Sequence, residues 1–173
     1  MVPATVRARL LAAAAAVLLA TVAAGCGGDG DGEETVEPTV TAEVFFPLGD
    51  AGPDCDEVLP LERTVSSPDV LRGTLEALLE GPTAAEREEG FGGWFSQETA
   101  GLLRSARISE GVAYVDFEDF RRVIPNASAS CGSALLLAQL DRTVTQFPTV
   151  DRAVYSFEGD SDAFYEWLQR SAP

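Results

Sequence analysis

The chain has 173 residues and a net charge of −16, with 28 acidic residues against 12 basic ones, all arginine, and no histidine. That balance makes nucleic acid and anionic lipid surfaces poor partners. The missing imidazole excludes Ser-His-Asp and Cys-His hydrolases and His-based zinc sites, and three cysteines leave too few thiolates for a Cys-only metal site, so no metal or cofactor is expected.

The N-terminus opens with Arg7 and Arg9. An apolar run from Leu10 to Val22 follows, broken only by Thr21, and then the small residues Ala23-Ala24-Gly25 before Cys26. A charged start, a short apolar stretch and small residues at the break predict a secretory signal peptide over residues 1–25. The run is too short to span a bilayer, which takes about 20 apolar residues. Cys26 directly after the small residues resembles the bacterial lipobox, with Ala23 where Leu is usual, and makes Cys26 the expected lipid-attachment site. The alternative is ordinary cleavage, with Cys26 a stray thiol or a disulfide partner. Loss of the leader removes Arg7 and Arg9 and no acid, leaving 10 arginines against 28 acids and a net charge of −18. Residues 26–39 read as an acidic, Gly-rich tether with almost nothing to bury. Asp29, Asp31 and Glu33 within it are too few ligands for a helix-loop-helix calcium site. A single folded domain is expected over 40–173, long enough for a real core.

Within that domain Val40–Phe46 and Val58–Val65 read as strands, separated by a Gly/Pro/Asp loop that carries Cys55. Ser67 and Pro68 open a helix with Leu71, Leu75, Leu78 and Leu79 on one face, ended by Gly81-Pro82. Thr83 and Glu86 form a capping-box pattern for a short helix that stops at Gly90. Phe91-Gly-Gly-Trp94-Phe95 reads as a loop, and Ser96–Leu103 as a further short helix. Leu103–Ile108 and Val112–Phe117 make a hairpin around Ser109-Glu110-Gly111. A loop with Pro125 leads to a long helix from about Ser130, with Leu136, Leu140, Val144 and Phe147 on one side and Pro148 as its stop. Ala153–Phe157 is a last strand, and Asp160 caps a final helix with Phe164, Trp167 and Leu168 inward. The order ββαββαβα predicts an α+β fold: one small mixed, mostly antiparallel sheet with helices packed on one face.

With Cys26 lipidated, Cys55 and Cys131 remain in an oxidising compartment and are expected to pair, the alternative being two free buried thiols.

Three segments together carry a family resemblance: Glu62-Arg63-Thr64-Val65, the helix end Leu75 to Gly81-Pro82-Thr83, and the hairpin Leu102 to Gly111-Val-Ala-Tyr-Val-Asp-Phe117. They resemble the GerMN domain, a sporulation and spore-germination domain of bacterial envelope lipoproteins, over roughly Glu43 to Phe157. The resemblance implies an α+β domain on the outer face of a membrane, a role in protein or cell-wall interactions, and no catalytic residue to carry over. The lack of Lys beside abundant Ala and Gly is similar to the residue usage of GC-rich genomes such as those of actinobacteria.

Candidate site residues are few. Asp116, Glu118 and Asp119 cluster at a strand end, and paired carboxylates can run glycoside hydrolysis; in so acidic a chain such clusters mostly solvate a surface. Arg121-Arg122 close by also favour a structural role for them. Arg63 can clamp a ligand carboxylate bidentately or pair with an acid on a neighbouring strand, Asp116 being a possible partner. In the Phe91–Phe95 loop, Trp94 and Phe95 are expected in the core and Phe91 is the ring expected to be exposed. Asn126-Ala127-Ser128 fits a glycosylation sequon without meaning in a bacterial-looking chain. Arg63, Phe91 and Trp94 stand as candidate partner-binding residues, and no catalytic residue is assigned. The expected protein is a lipid-anchored, extracytoplasmic, non-catalytic module that binds an envelope protein or peptidoglycan. A wall hydrolase built on Asp116, or a small-ligand-binding lipoprotein, are the alternatives.

Overall fold

The computed structural model describes residues 37–49, 52–129 and 131–173. The expected signal segment, Cys26 and the tether up to Val36 lie outside the described residues. The elements are β1 (Thr39–Phe46), β2 (Leu59–Ser66), a 3-10 turn (Ser67–Asp69), α1 (Val70–Leu79), α2 (Ala84–Glu88), β3 (Leu103–Ser109), β4 (Val112–Phe117), α3 (Gly132–Thr145), β5 (Arg152–Phe157) and α4 (Ser161–Trp167). This is the α+β class the pattern predicts.

The strands divide between two sheets rather than forming one. β1 pairs antiparallel with β2, from Thr39 opposite Ser66 to Phe46 opposite Leu59. The second sheet has the order β3-β4-β5, with β3 antiparallel and β5 parallel to β4. The division has a visible cause. α3 lies along the outer edge of β1, where Gln139, Thr143 and Gln146 hydrogen-bond to the backbone of Phe45 and Glu43. Those side chains occupy the groups that a third strand would use. The outer edge of β2 is blunted in its turn by Pro60, which has no N–H, and by Arg63, whose Nη1 donates to the Glu62 carbonyl at 2.9 Å.

Three boundaries differ from the sequence reading. Asp69, not Ser67, caps α1 through Oδ1, which accepts the Arg72 amide at 3.3 Å; Ser67 and Pro68 form the preceding 3-10 turn. Ser96–Leu103 is not a helix. Thr99 is fully buried there, and its hydroxyl accepts the Ser96 amide and donates to the Leu79 carbonyl at 2.6 Å, with the Ser96 carbonyl also in reach at 2.8 Å, so a turn replaces the helical ladder. The hairpin loop is the two residues Glu110 and Gly111, whose φ values of 51° and 76° match the left-handed pair of a type I′ turn. The capping box of Thr83 and Glu86 and the Asp160 cap of α4 form as the residues predict. Gly81 has φ +78°, and a β-carbon there would collide with the Phe95 carbonyl, so this stop requires glycine.

The core joins both sheets to α1, α3 and α4. Val44 and Phe46, Leu75, Leu78 and Leu79, Leu136 and Leu140, Val115 and Phe117, and Tyr155 and Phe164 are all buried in one cluster. The irregular segment after β4 contributes as much as a helix would. Phe120 is fully buried, edge-on to Phe157 at 4.9 Å and to Trp167 at 5.7 Å, and Ile124 and Ala127 are buried behind it. Ala127 sits at the centre of the sequon-like triplet and is buried, while Asn126 before it is exposed. Truncating Phe120 to Ala would cost about 3–5 kcal/mol.

Cys55 and Cys131 are joined by a disulfide across 76 sequence positions, with α-carbons 5.2 Å apart. The bridge ties the β1–β2 loop to the residue that precedes α3.

Candidate functional site

Alternation along β4 and β5 puts Ala113, Val115, Phe117, Ala153, Tyr155 and Phe157 in the core. Their neighbours Tyr114, Asp116, Val154 and Ser156 face the other way and, with Ser105 and Arg107 of β3, line a shallow depression of about 340 Å³. Arg107 stacks on the Tyr114 ring at 4.1 Å.

Asp116 is the polar centre of this face, and its carboxylate is fully engaged. Oδ1 accepts the Ser156 hydroxyl and the Gly159 amide, both at 2.7 Å, and Oδ2 accepts Arg104 Nε at 3.0 Å. Arg104 also reaches Glu118 through Nη1 at 2.9 Å, so one guanidinium bridges two of the three clustered acids. The charge of Glu118, then hydrogen bonds to Glu118 and Asp116, raise the Arg104 pKa further above its ordinary value. The third acid, Asp119, is gripped bidentately by Arg121 at 2.9 and 2.7 Å. The hydrogen bond from Arg121 holds its carboxyl below the ordinary range. A glycosidase needs one carboxylic acid with a raised pKa beside a free carboxylate. Here Asp119 is shifted the wrong way, and Asp116 and Glu118 share a counter-ion. The arrangement is an ion-paired surface.

Arg63 does not meet Asp116. It meets Glu86 of α2, with Nη1 and Nη2 each 2.7 Å from a carboxylate oxygen. Both side chains are largely buried, at 16% and 17% exposure. Glu86 also accepts the Thr83 amide at 2.7 Å, so one carboxylate closes the capping box and anchors β2 to α2. The hydrogen bond from Arg63 is the main reason that its carboxyl lies below its ordinary value. Both terminal nitrogens of Arg63 are therefore engaged by Glu86 within the fold.

The aromatic loop is also turned inward. Phe91 is half-buried against the core rather than exposed, because the Gly92 amide donates to the Pro47 carbonyl at 3.1 Å and the Gly49 amide to the Gly90 carbonyl at 3.0 Å, clasping the two loops together. Trp94 is half-buried; its Nε1 donates to the Gly132 carbonyl at 3.0 Å and its amide to Gln139 Oε1 at 3.1 Å. Phe95 is buried in the core.

A further depression of about 500 Å³ lies elsewhere, beside the disulfide-tied loop, lined by Leu48, Asp56, Glu57, Val58, Leu59 and Arg142. Leu48 and Leu59 are 47% and 46% exposed, the most exposed large apolar side chains among the described residues. Neither stands out in the sequence. Leu48 sits in a Gly/Pro/Asp loop and Leu59 opens a strand, and nothing in the pattern separates them from core leucines. Among the described residues no group of three or more Cys, Asp or Glu side chains is placed to hold a metal ion.

A small α+β domain with its clustered acids locked in ion pairs, its aromatic loop clasped inward and an apolar patch on a cross-linked loop is the class of protein that the geometry defines. Residues 43–162 match the Germane family model, described as sporulation and spore germination, and the chain belongs to that family. Among solved structures it is similar to the tandem GerMN domains of the sporulation protein GerM from Bacillus subtilis, at 19% identity and a TM-score of 0.53, with 72% of this chain and 40% of that one covered. The first GerMN domain of the same protein matches at 19% identity and a TM-score of 0.48, over 70% of this chain and 85% of that one. The chain thus spans 40% of the tandem structure, and the likeness is one of fold. No match is found among curated protein sequences.

Proposed function

We propose that this protein is a lipid-anchored, extracytoplasmic, non-catalytic interaction module. Its partner is a cell-envelope protein or peptidoglycan, and it docks on the patch formed by Leu48 and Leu59. The observation that carries this reading is the exposure of these two leucines beside a loop that the Cys55–Cys131 bridge holds to the start of α3. An apolar anchor whose chain is cross-linked nearby loses less entropy on binding and can contribute most of an interface's affinity. The apolar character favours a protein partner over a glycan. Asp56 and Glu57 at the rim, on a chain of net charge −16, favour a partner surface with basic residues. The ion-paired state of Asp116, Glu118 and Asp119 supports the non-catalytic part of the reading, and the family match supports a setting in spore formation or germination or in related envelope processes.

The test places a photo-crosslinking residue at Leu48, at Leu59 and, as a control, at the exposed Ile108 of β3, in cells that express the full chain. A single adduct common to positions 48 and 59 and absent at 108 is expected. Adducts of equal yield at all three positions would refute the patch. Turnover of purified wall by the wild type that disappears in Asp116→Asn would replace the module with the hydrolase.

A further inference from the structure

β5 is the last strand of its sheet, and its outer edge runs beside α3 and α4. Two of its amides are satisfied away from β4. The Tyr155 amide donates to the Tyr165 hydroxyl at 3.3 Å, and the Phe157 amide donates to the Asp160 carbonyl at 3.0 Å. The alternation of a strand turns the N–H and C=O of Ala153 the same way. Among the described residues no side chain hydrogen-bonds to them. Ala153 lines a cleft of about 340 Å³ whose other walls include Leu137 and Asp141 of α3, Tyr165 of α4, and Pro173.

Asp141 is the unusual group in this cleft. Its Oδ1 accepts the buried Tyr155 hydroxyl at 2.7 Å, and Oδ2 has no hydrogen-bond partner among the described residues. Arg152 lines the same cleft, and Arg142 and Arg170 line the depression on the other side of Asp141, yet none of the three forms an ion pair with it. The other half-buried acids of the described strands and helices, Glu76, Glu86 and Asp116, each hold an arginine. Burial pushes the Asp141 carboxyl up, against the smaller opposing pull of the Tyr155 hydrogen bond. A half-desolvated carboxylate with one oxygen unused, an unpaired strand-edge peptide unit and an apolar floor of Leu137 and Pro173 thus share one cleft.

We propose that this cleft binds an extended segment of another protein that carries a lysine side chain, its backbone pairing with Ala153 and its ammonium donating to Asp141 Oδ2. Ala153 is only 7% exposed and its methyl is in the core, so what it offers the cleft is its outward-turned N–H and C=O, with room for one residue of an added strand. A lysine stem lies along apolar surface while its ammonium reaches a polar group, and a charged donor is what an unpaired, partly buried carboxylate lacks. The chain itself contains no lysine, so neither its own termini nor a second copy supplies that side chain. The cleft shares no lining residue with the Leu48–Leu59 depression, so the two proposals stand or fall separately.

Nuclear magnetic resonance titration of the 15N-labelled protein with Nα-acetyl-lysine-N-methylamide tests it, with the norleucine analogue as the matched probe that lacks the ammonium. Shifts centred on Leu137, Ala153 and Tyr165 are expected, with the norleucine analogue about tenfold or more weaker. Asp141→Asn keeps an acceptor for the Tyr155 hydroxyl, retains the fold and erases the preference for the lysine probe. Equal binding of the two probes, no binding of either, shifts elsewhere, or a lysine preference that survives Asp141→Asn would each overturn the proposal.

Discussion

The side-chain amide of Gln146 takes the place of a strand residue against Glu43, 103 positions away. Its Nε2 donates to the Glu43 carbonyl at 2.6 Å, and its Oε1 accepts the Glu43 amide at 2.9 Å. Both bonds are solvent-exposed, so water replaces part of what is lost on deletion. Gln146→Ala is expected to lower stability by about 1 kcal/mol and to reopen the edge of β1. Urea melts measure the first effect, and light scattering on prolonged incubation measures the second, as strand-edge association. A variant with unchanged stability and solubility would show that the contact is incidental.

The Cys55–Cys131 bridge closes a loop across 76 positions. Constraint of the unfolded chain on that scale contributes about 4 kcal/mol on the chain-entropy account, and loss of a native bridge from a small exported domain costs about 2–5 kcal/mol. The Cys55→Ser, Cys131→Ser double variant should melt lower and keep its far-ultraviolet dichroism, because the core contacts of α3 come from Leu136, Leu140 and Val144 rather than from Cys131. Two freely alkylated thiols in the native protein would contradict the bridge.

Local signals were legible wherever chemistry within one segment decides the outcome. Thr83 and Glu86, Asp160, the leucine face of α1 and the alternation of β4 all carry their own instruction. The division into two sheets was not legible, since it depends on Gln139, Thr143 and Gln146 reaching an edge about a hundred residues away. Nor was the partner of Arg63. Asp116 and Glu86 are both reachable acids in one dimension, and only the folded chain shows that Glu86 lies within reach of Arg63. The burial of Phe120 has no sequence signal, because irregular backbone has no period to betray it. Just ahead of β1, Ser66 Oγ donates to Glu37 at 3.1 Å and the Ser67 amide to the Pro38 carbonyl at 2.7 Å. The exposed pair Leu48 and Leu59 has no sequence signal either, because hydrophobic residues in a pattern carry no mark of which side they will face.

Membrane attachment at Cys26 follows from the proposed role. Cys26→Ala should release the protein from the membrane fraction, and the wild-type N-terminal peptide should carry the mass of a diacylglycerol adduct. The predicted anchor is one lipid-bearing residue, so a single substitution suffices. A Cys26→Ala protein that stays membrane-bound, together with an unmodified Cys26 thiol in the wild type, would remove the lipoprotein reading.

The Arg63–Glu86 pair makes a prediction with a defined pH window. Two hydrogen bonds of 2.7 Å between largely buried charged groups tie β2 to α2, and Glu86 simultaneously closes the Thr83 capping box. Arg63→Ala leaves that carboxylate without its counter-ion and should cost about 1.5–3 kcal/mol at neutral pH. Arg63→Lys should recover only part of this, because an ammonium cannot reproduce the two-pronged contact. The Glu86 carboxyl lies below its ordinary value of 4.5 in the folded protein. A group whose folded pKa is depressed contributes stability above its unfolded pKa and loses it as pH falls through the folded pKa. The stability gap between wild type and Arg63→Ala should therefore be constant from neutrality down to about pH 6 and narrow below about pH 4.5, as Glu86 becomes protonated in the unfolded and then the folded chain. Denaturant melts of both proteins across that range measure the gap. A gap that does not change with pH would mean that Arg63 acts through packing of its stem and not through the charge of Glu86.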